Sequence, residues 1–263
     1  MKAIQVMAFG LFLQSLSALP SELEGRVTHG GGKALDPRQL TYFPSANSTG
    51  TGVLVCPGGG YSHVAIAKEG YVPAQYLNGL GIDAWVLDYT TTANATAPIY
   101  PSPQMEALAA LDYIRRQKPG IEKLGIWGFS AGGHLAATTL VNSEAKIDFG
   151  ILAYPVITLE EDYTHIGSRN SLIGANATDE LQRKLSAQNL VSKTTPPTFL
   201  FHTSNDPAVP VQNTYMFAEA MAAHGRLTQV LILPDGKHGL GLAVDDPVRS
   251  WTPELTRFLN YSI

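Results

Sequence analysis

The chain has a single cysteine, Cys56, so no intrachain disulfide can staple it. It has no Cys/His cluster at metal-ligand spacing. Its seven histidines are scattered and none forms an HExxH pair, so no metal and no other cofactor is implied. It also lacks any run of basic residues, and its net charge is −4. Nucleic acid and an anionic membrane surface therefore have no electrostatic footprint to meet. Beyond the first residues, no apolar run is long enough to span a bilayer. Internal repeats and low-complexity linkers are missing too. What remains is 263 residues, 44% of them apolar and only 15% charged. That balance is globular rather than disordered, and a chain of this length can bury a full core as one domain.

The N-terminus reads differently from the rest. Lys2 precedes an apolar stretch over residues 4–16, and the small residues Ser15, Ser17 and Ala18 follow. This is the layout of a secretory signal peptide cleaved near Ala18. The expected organisation is a leader over 1–18, a single catalytic domain over 19–263, and a secreted product. Four Asn-x-Ser/Thr triplets, at Asn47, Asn94, Asn176 and Asn260, fall in regions that read as loops or a terminus. They are the candidate glycosylation sites of such a route.

Short apolar, β-rich runs alternate with amphipathic stretches, the pattern of a mostly parallel sheet flanked by helices on both faces. Strands are expected at 39–43, 53–56, 84–87, 125–127, 149–153, 198–202 and 229–233. Helices are expected at 72–78, 103–117, 131–141, 211–223 and 248–260. Segment 168–179 interrupts the alternation and is expected over the edge of the site. In sheets of this kind ligands bind beyond the carboxyl ends of the strands, and three such ends carry chemistry.

The first is Gly128-Phe129-Ser130-Ala131-Gly132, between an apolar strand and a helix. Alone, GxSxG arises by chance in roughly one chain in ten of this length. Placed between strand and helix, it is a nucleophile elbow that exposes a strained serine hydroxyl. Glycines two before and two after the serine remove side chains that would clash in so tight a turn. The second is Pro57-Gly58-Gly59-Gly60-Tyr61, after the strand at 53–56. Glycines there let backbone N–H groups approach a developing oxyanion. The expected donors are Ala131 together with Gly59 or Gly60. The third is Asp206, after the strand at 198–202, with His238, after the strand at 229–233. A serine hydroxyl needs an imidazole to take its proton, and the imidazole needs a carboxylate to fix its tautomer. The order Ser130, Asp206, His238 is that of the α/β-hydrolase triad. Asp235 is the second carboxylate near the histidine, but it lies close to His238 along the chain. His63, His134 and His202 are expected to be structural, and Cys56 to be a buried strand residue.

On these segments the chain resembles small α/β-hydrolases of the acetylxylan esterase and bifunctional carbohydrate or feruloyl esterase type. Those proteins are distant relatives of the dienelactone hydrolases and of the prolyl oligopeptidase catalytic domain. The resemblance runs from about residue 40 to residue 258. It is carried by VCPGGGYSHVA (55–65), KEG (68–70), GFSAGGHLA (128–136), YPVI (154–157), HIGSRNSLIG (165–174), PPTFLFHTSNDPAVPVQN (196–213) and KHGLGL (237–242). It implies an α/β-hydrolase fold without a large cap domain, and the same three residues as triad. Family members often carry a basic residue after the tyrosine ending the third strand, where this chain has Asp88-Tyr89-Thr90. Segment 91–98, which carries the sequon at Asn94, is also unusual, and both are expected near the mouth of the site.

The reading that follows is a secreted serine esterase. It removes small acyl groups, acetyl above all, from a small-molecule or oligosaccharide ester through an acyl-enzyme on Ser130. An ester or lactone of a secondary metabolite is the alternative substrate. A non-catalytic binding protein on the same fold is the rival from another class, and it would be expected to lose a triad or oxyanion member; none is lost here. The oligopeptidases select peptides with a large extra domain, for which this chain has no room.

Overall fold

A computed structural model describes residues 36–262. The expected leader over 1–18 lies outside the described residues. Seven strands form one sheet: β1 (Leu40–Phe43), β2 (Thr51–Cys56), β3 (Asp83–Leu87), β4 (Lys123–Phe129), β5 (Phe149–Ala153), β6 (Thr198–Thr203) and β7 (Thr228–Leu233). Their order is β1-β3-β2-β4-β5-β6-β7. Only β1 runs antiparallel, against β3, and every other pairing is parallel. All seven fall where the apolar runs place them, with ends moved by one or two residues. β2, β3, β5 and β6 are buried along their whole length, as expected for strands covered on both faces.

Side-chain alternation sorts the core into two clusters. Leu54, Cys56, Ile126, Leu152 and Leu200 face one side, while Val53, Val55, Trp127, Ile151, Phe199 and Phe201 face the other. The first side is covered by α2 (Ser102–Gln117), α3 (Ser130–Leu140) and α6 (Gln212–Ala223), through residues such as Leu111, Leu135 and Phe217. The second is covered by α1 (Val72–Gly79) and α7 (Thr252–Ser262), through Leu77, Leu255, Phe258 and Leu259. Burying each of those large side chains contributes about 2 kcal/mol. Trp251 stacks on Phe201 at 4.5 Å and anchors the start of α7.

One boundary differs. α7 begins at Thr252 rather than at residue 248. Asp246 accepts the N–H groups of Val248 and Arg249 on its side chain and that of Ser250 on its carbonyl. This side-chain turn competes with helix. Pro253 then sits within the first helical turn, where its missing N–H costs nothing. Segment 168–179 resolves into α4 (Ile166–Ile173) and a turn, followed by α5 (Asp179–Lys184).

The sheet order matters for function. From β2 the chain steps to β3 on one side and later returns to β4 on the other. Such a switch point opens a crevice at the strands' carboxyl ends. Cys56 and Gly128 are paired in register there, so the loops after β2 and β4 emerge side by side.

Candidate active site

Ser130 occupies the turn between β4 and α3 with φ +52°, a left-handed conformation that costs a non-glycine residue about 1–3 kcal/mol. The turn is enforced by packing. A Cβ on Gly128 would lie 2.2 Å from the Gly132 carbonyl oxygen, and one on Gly132 would lie 2.1 Å from that of Cys56. Only glycine fits at either position, so the helix start can press against the end of β2. The Ser130 hydroxyl oxygen lies 2.7 Å from His238 Nε2. His238 Nδ1 lies 2.7 Å from Asp206 Oδ2. The structure thus brings together three residues spread over 108 positions, each from a loop beyond a strand's carboxyl end.

The Asp206 carboxylate is almost fully enclosed, with 1% of its side chain exposed. Burial alone would raise its pKa, but hydrogen bonds from His202, His238 and the N–H groups of Val209 and Ala208 outweigh that and hold it well below the usual carboxylate range. It therefore stays ionised and keeps the proton of His238 on Nδ1, leaving Nε2 free to accept from the serine. His202 was expected to be structural and is wholly buried. Its Nε2 lies 3.0 Å from the Val209 carbonyl and 3.4 Å from Asp206, and its Nδ1 lies 2.7 Å from the Thr214 hydroxyl. It braces the acid from behind. Asp235, the alternative carboxylate, is half exposed and pairs with Arg249 instead.

The glycine loop runs directly against the serine: a Cβ on Gly58 would lie 2.9 Å from Ser130 Cβ. The N–H of Gly58 is taken by Glu69 Oε2 at 2.8 Å. Among the described residues no acceptor is paired with the N–H of Gly59 or Gly60. Ala131, second in α3, has a first-turn N–H with no intrahelical partner. Ala131 follows the nucleophile directly, and Gly59 and Gly60 follow the glycine packed on it, so these N–H groups are the candidates to receive a developing oxyanion.

Glu69 does more than hold Gly58. Its Oε1 accepts the Tyr154 hydroxyl at 2.8 Å, and that hydroxyl accepts the Gly241 N–H at 2.9 Å. The Tyr154 ring stands edge-on to His238 at 5.1 Å. Burial pushes the Tyr154 hydroxyl well above its ordinary range, so it remains a donor. One buried carboxylate therefore links the glycine loop to the loop bearing His238. Glu69 lies in the KEG segment that carries the resemblance, but no sequence pattern assigned it a role, because a glutamate in an irregular helical stretch reads as surface.

A match to the prolyl oligopeptidase family covers residues 104–262. The chain belongs to the prolyl oligopeptidase family. Its fold within that family is the α/β-hydrolase fold, with no large cap among the described residues. It is 34% identical over 233 residues to endo-1,4-beta-xylanase B of Butyrivibrio fibrisolvens, covering 82% of this chain and 36% of that protein. It is 33% identical over 210 residues to the acetylxylan esterase of Xylanibacter ruminicola, covering 77% and 44%. The chain thus spans less than half the length of these curated relatives. Among solved structures, it resembles the acetyl ester-xyloside bifunctional hydrolase from Caldicellulosiruptor lactoaceticus, with TM-score 0.77 and 35% identity over 88% of this chain and 92% of that one.

Other members of the site region fall into place around this frame. Segment 91–98 docks on the glycine loop through the N–H of Thr92 to Tyr61 and the N–H of Ala93 to Ser62. Tyr89 donates its hydroxyl to the Pro57 carbonyl at 2.6 Å. Thr90, in the Asp88-Tyr89-Thr90 segment, bonds the buried Glu106 carboxylate through its N–H and its hydroxyl. His134 is structural as expected: it bonds Tyr61 and the Leu185 carbonyl, and burial lowers its pKa to about 4. Cys56 is buried in β2, where burial pushes its thiol up. The asparagines at 47, 94, 176 and 260 are all exposed. No group of three or more His, Cys, Asp or Glu gathers as a metal site among the described residues. Among the described residues, no helix is long and apolar enough to cross a membrane. A cavity of about 450 Å³ is lined by neighbours of Asp206 and His238, including Asn205, Asp235, Asp246 and Arg249, but by neither of those two residues.

Proposed function

We propose that the protein is a serine carboxylic-ester hydrolase that removes acetyl groups from a sugar or polyol. The observation that carries this reading is the continuous chain Ser130–His238–Asp206, at 2.7 Å per link, set against the three unpaired N–H groups of the glycine loop and α3. The similarity to an acetylxylan esterase and to an acetyl ester-xyloside hydrolase supports acetylated carbohydrate as the substrate class.

In the proposed reaction the Ser130 oxygen attacks the ester carbonyl carbon while His238 Nε2 takes its proton. The carbonyl oxygen gains negative charge and is received by the N–H of Ala131 and that of Gly59 or Gly60. His238 returns the proton to the leaving alcohol, and the acetyl group stays on Ser130. A water molecule then gives a proton to His238 and attacks the acyl carbon, and His238 passes that proton to the Ser130 oxygen as its bond to the acyl carbon breaks and acetate leaves. Asp206 stays ionised throughout and stabilises the imidazolium. The leader over 1–18 and the four exposed sequons support secretion as a glycoprotein as part of the same proposal.

The test is Ser130→Ala, assayed on p-nitrophenyl acetate and on acetylated xylo-oligosaccharide. Both activities should vanish while circular dichroism and the melting temperature stay near wild type. Activity retained within about tenfold on either substrate sinks the nucleophile assignment, since loss of a triad nucleophile removes several decades of rate.

A further inference from the structure

We propose that His165 is a substrate-binding residue, donating a hydrogen bond from Nε2 to a hydroxyl or ring oxygen on the alcohol half of the ester. The proposal rests on the sugar-ester reading above and names the group that would select it.

His165 stands just ahead of α4 and caps it: its Nδ1 accepts the Ser168 N–H at 3.2 Å. The Ser168 hydroxyl lies 2.8 Å from the same nitrogen. A ring nitrogen that accepts a backbone N–H carries no proton, so in the neutral ring the proton sits on Nε2. That Nε2–H is paired with no acceptor among the described residues. The side chain is half-buried rather than enclosed, so a ligand can reach the ring. Its position is fixed as well. His165 Cε1 lies 3.8 Å from where a Gly60 Cβ would stand, which puts the ring against the glycine loop that receives the oxyanion. Both His238 and Asp206 act on it electrostatically. Burial, and then the nearby His238, lower its pKa, which keeps the ring neutral and Nε2 a plain donor.

Ester chemistry decides what this donor meets. An acetyl methyl offers no acceptor, and in the proposed reaction the carbonyl oxygen is received by the N–H of Ala131 and that of Gly59 or Gly60. The acceptors left are those of the alcohol half, which lies on the His238 side because His238 must protonate it. In an acetylated sugar those acceptors are the neighbouring hydroxyls and the ring oxygen.

The clean variant is His165→Asn, because asparagine keeps the cap on Ser168 while its side chain is too short to carry a donor to the Nε2 position. On acetylated xylo-oligosaccharide, KM should rise roughly tenfold with kcat held within about threefold, the cost of one neutral hydrogen bond. On p-nitrophenyl acetate, whose aryl half has no hydroxyl beside the ester, both constants should stay within about twofold. His165→Gln, which restores a longer amide donor, should recover part of the sugar-ester KM. Equal losses on both substrates, or an unchanged KM on the sugar ester, overturn the role of His165 and leave the esterase reading standing. Wild-type protein that hydrolyses p-nitrophenyl acetate but not the sugar ester overturns the sugar-ester reading and this proposal with it.

Discussion

The two walls of the cleft are fastened by different means. On the glycine-loop side the ties are buried: Glu69 holds Gly58, Tyr89 holds Pro57, and His134 holds Tyr61. On the acid–base side the inner ties are buried, but the outer ones are exposed. Arg249 bridges Asp235 and Asp246, all three at least 30% exposed, and Lys68 reaches the Gly239 carbonyl from an exposed position. A buried hydrogen bond left half-made costs the full desolvation of the orphaned group, whereas an exposed ion pair contributes little. The glycine loop, which must present N–H groups at fixed points, is therefore built to be rigid. The outer acid–base side can change its surface charges at small cost, provided Asp206 and its partners are kept.

The largest effect should come from that inner core. Asp206→Asn leaves the geometry nearly intact but lets the imidazole adopt the wrong tautomer, and should lower kcat by about four decades. Asp235→Asn, three residues before His238 and half exposed against Arg249, should leave kcat within about threefold. A reversed pair of results in p-nitrophenyl acetate assays would place the working acid on the exposed wall and break the comparison.

How much of this was legible in the sequence follows the same division. The seven strands and the three loops bearing Ser130, Asp206 and His238 were visible because strand ends, glycine spacing and chain order are local or ordered signals. The roles of Glu69 and His165, though both lie in segments that carry the resemblance, and the contact from His202 to Asp206 were not. Glu69 acts across the fold, on Gly241 through Tyr154, and His165 stands against the distant glycine loop. His202 is only four residues from Asp206, but the contact depends on how the loop after β6 turns, and no spacing rule marks it. The start of α7 was misplaced for a smaller reason. Amphipathic spacing through Trp251, Leu255 and Leu259 is real, but it does not see the Asp246 side chain capturing the N–H groups that would have extended the helix.

The buried wall also predicts a pH dependence of stability. His134 is neutral in the fold, and burial lowers its pKa from 6.5 to about 4. The unfolded chain binds the proton first, so stability is fully present above about pH 6.5 and is lost as pH falls toward about 4. The loss over that window should be about 3 kcal/mol. Asp206 acts elsewhere: its depressed pKa contributes stability above the ordinary carboxylate range, lost only as pH falls through its lower folded value. His134→Gln can still accept from Tyr61 and donate to Leu185 but cannot titrate. Urea unfolding at a series of pH values between 4.5 and 7 should therefore show a smaller slope in the variant. Equal slopes would mean that the tie between His134 and Tyr61 is not the buried weak point.

The smallest effect is expected at Arg249, and it is the sharpest test of the exposed wall. This guanidinium joins Asp235, in the loop leading to His238, with Asp246, in the turn leading to α7, and it lines the cavity behind the acid and base loops. Its placement invites the inference that it holds His238 in line. The packing argues otherwise. The loop is already pinned from within by Trp251 Nε1 to the Gly241 carbonyl at 2.9 Å and by the Gly241 N–H to Tyr154. Arg249 and both its partners are part-exposed, so water screens the pairs. Arg249→Ala should change kcat/KM on p-nitrophenyl acetate by less than about threefold, with the difference shrinking further in 0.5 M salt. A loss of tenfold or more, insensitive to salt, would show that the exposed pairs position the base after all, and that the two walls are fastened with equal strength.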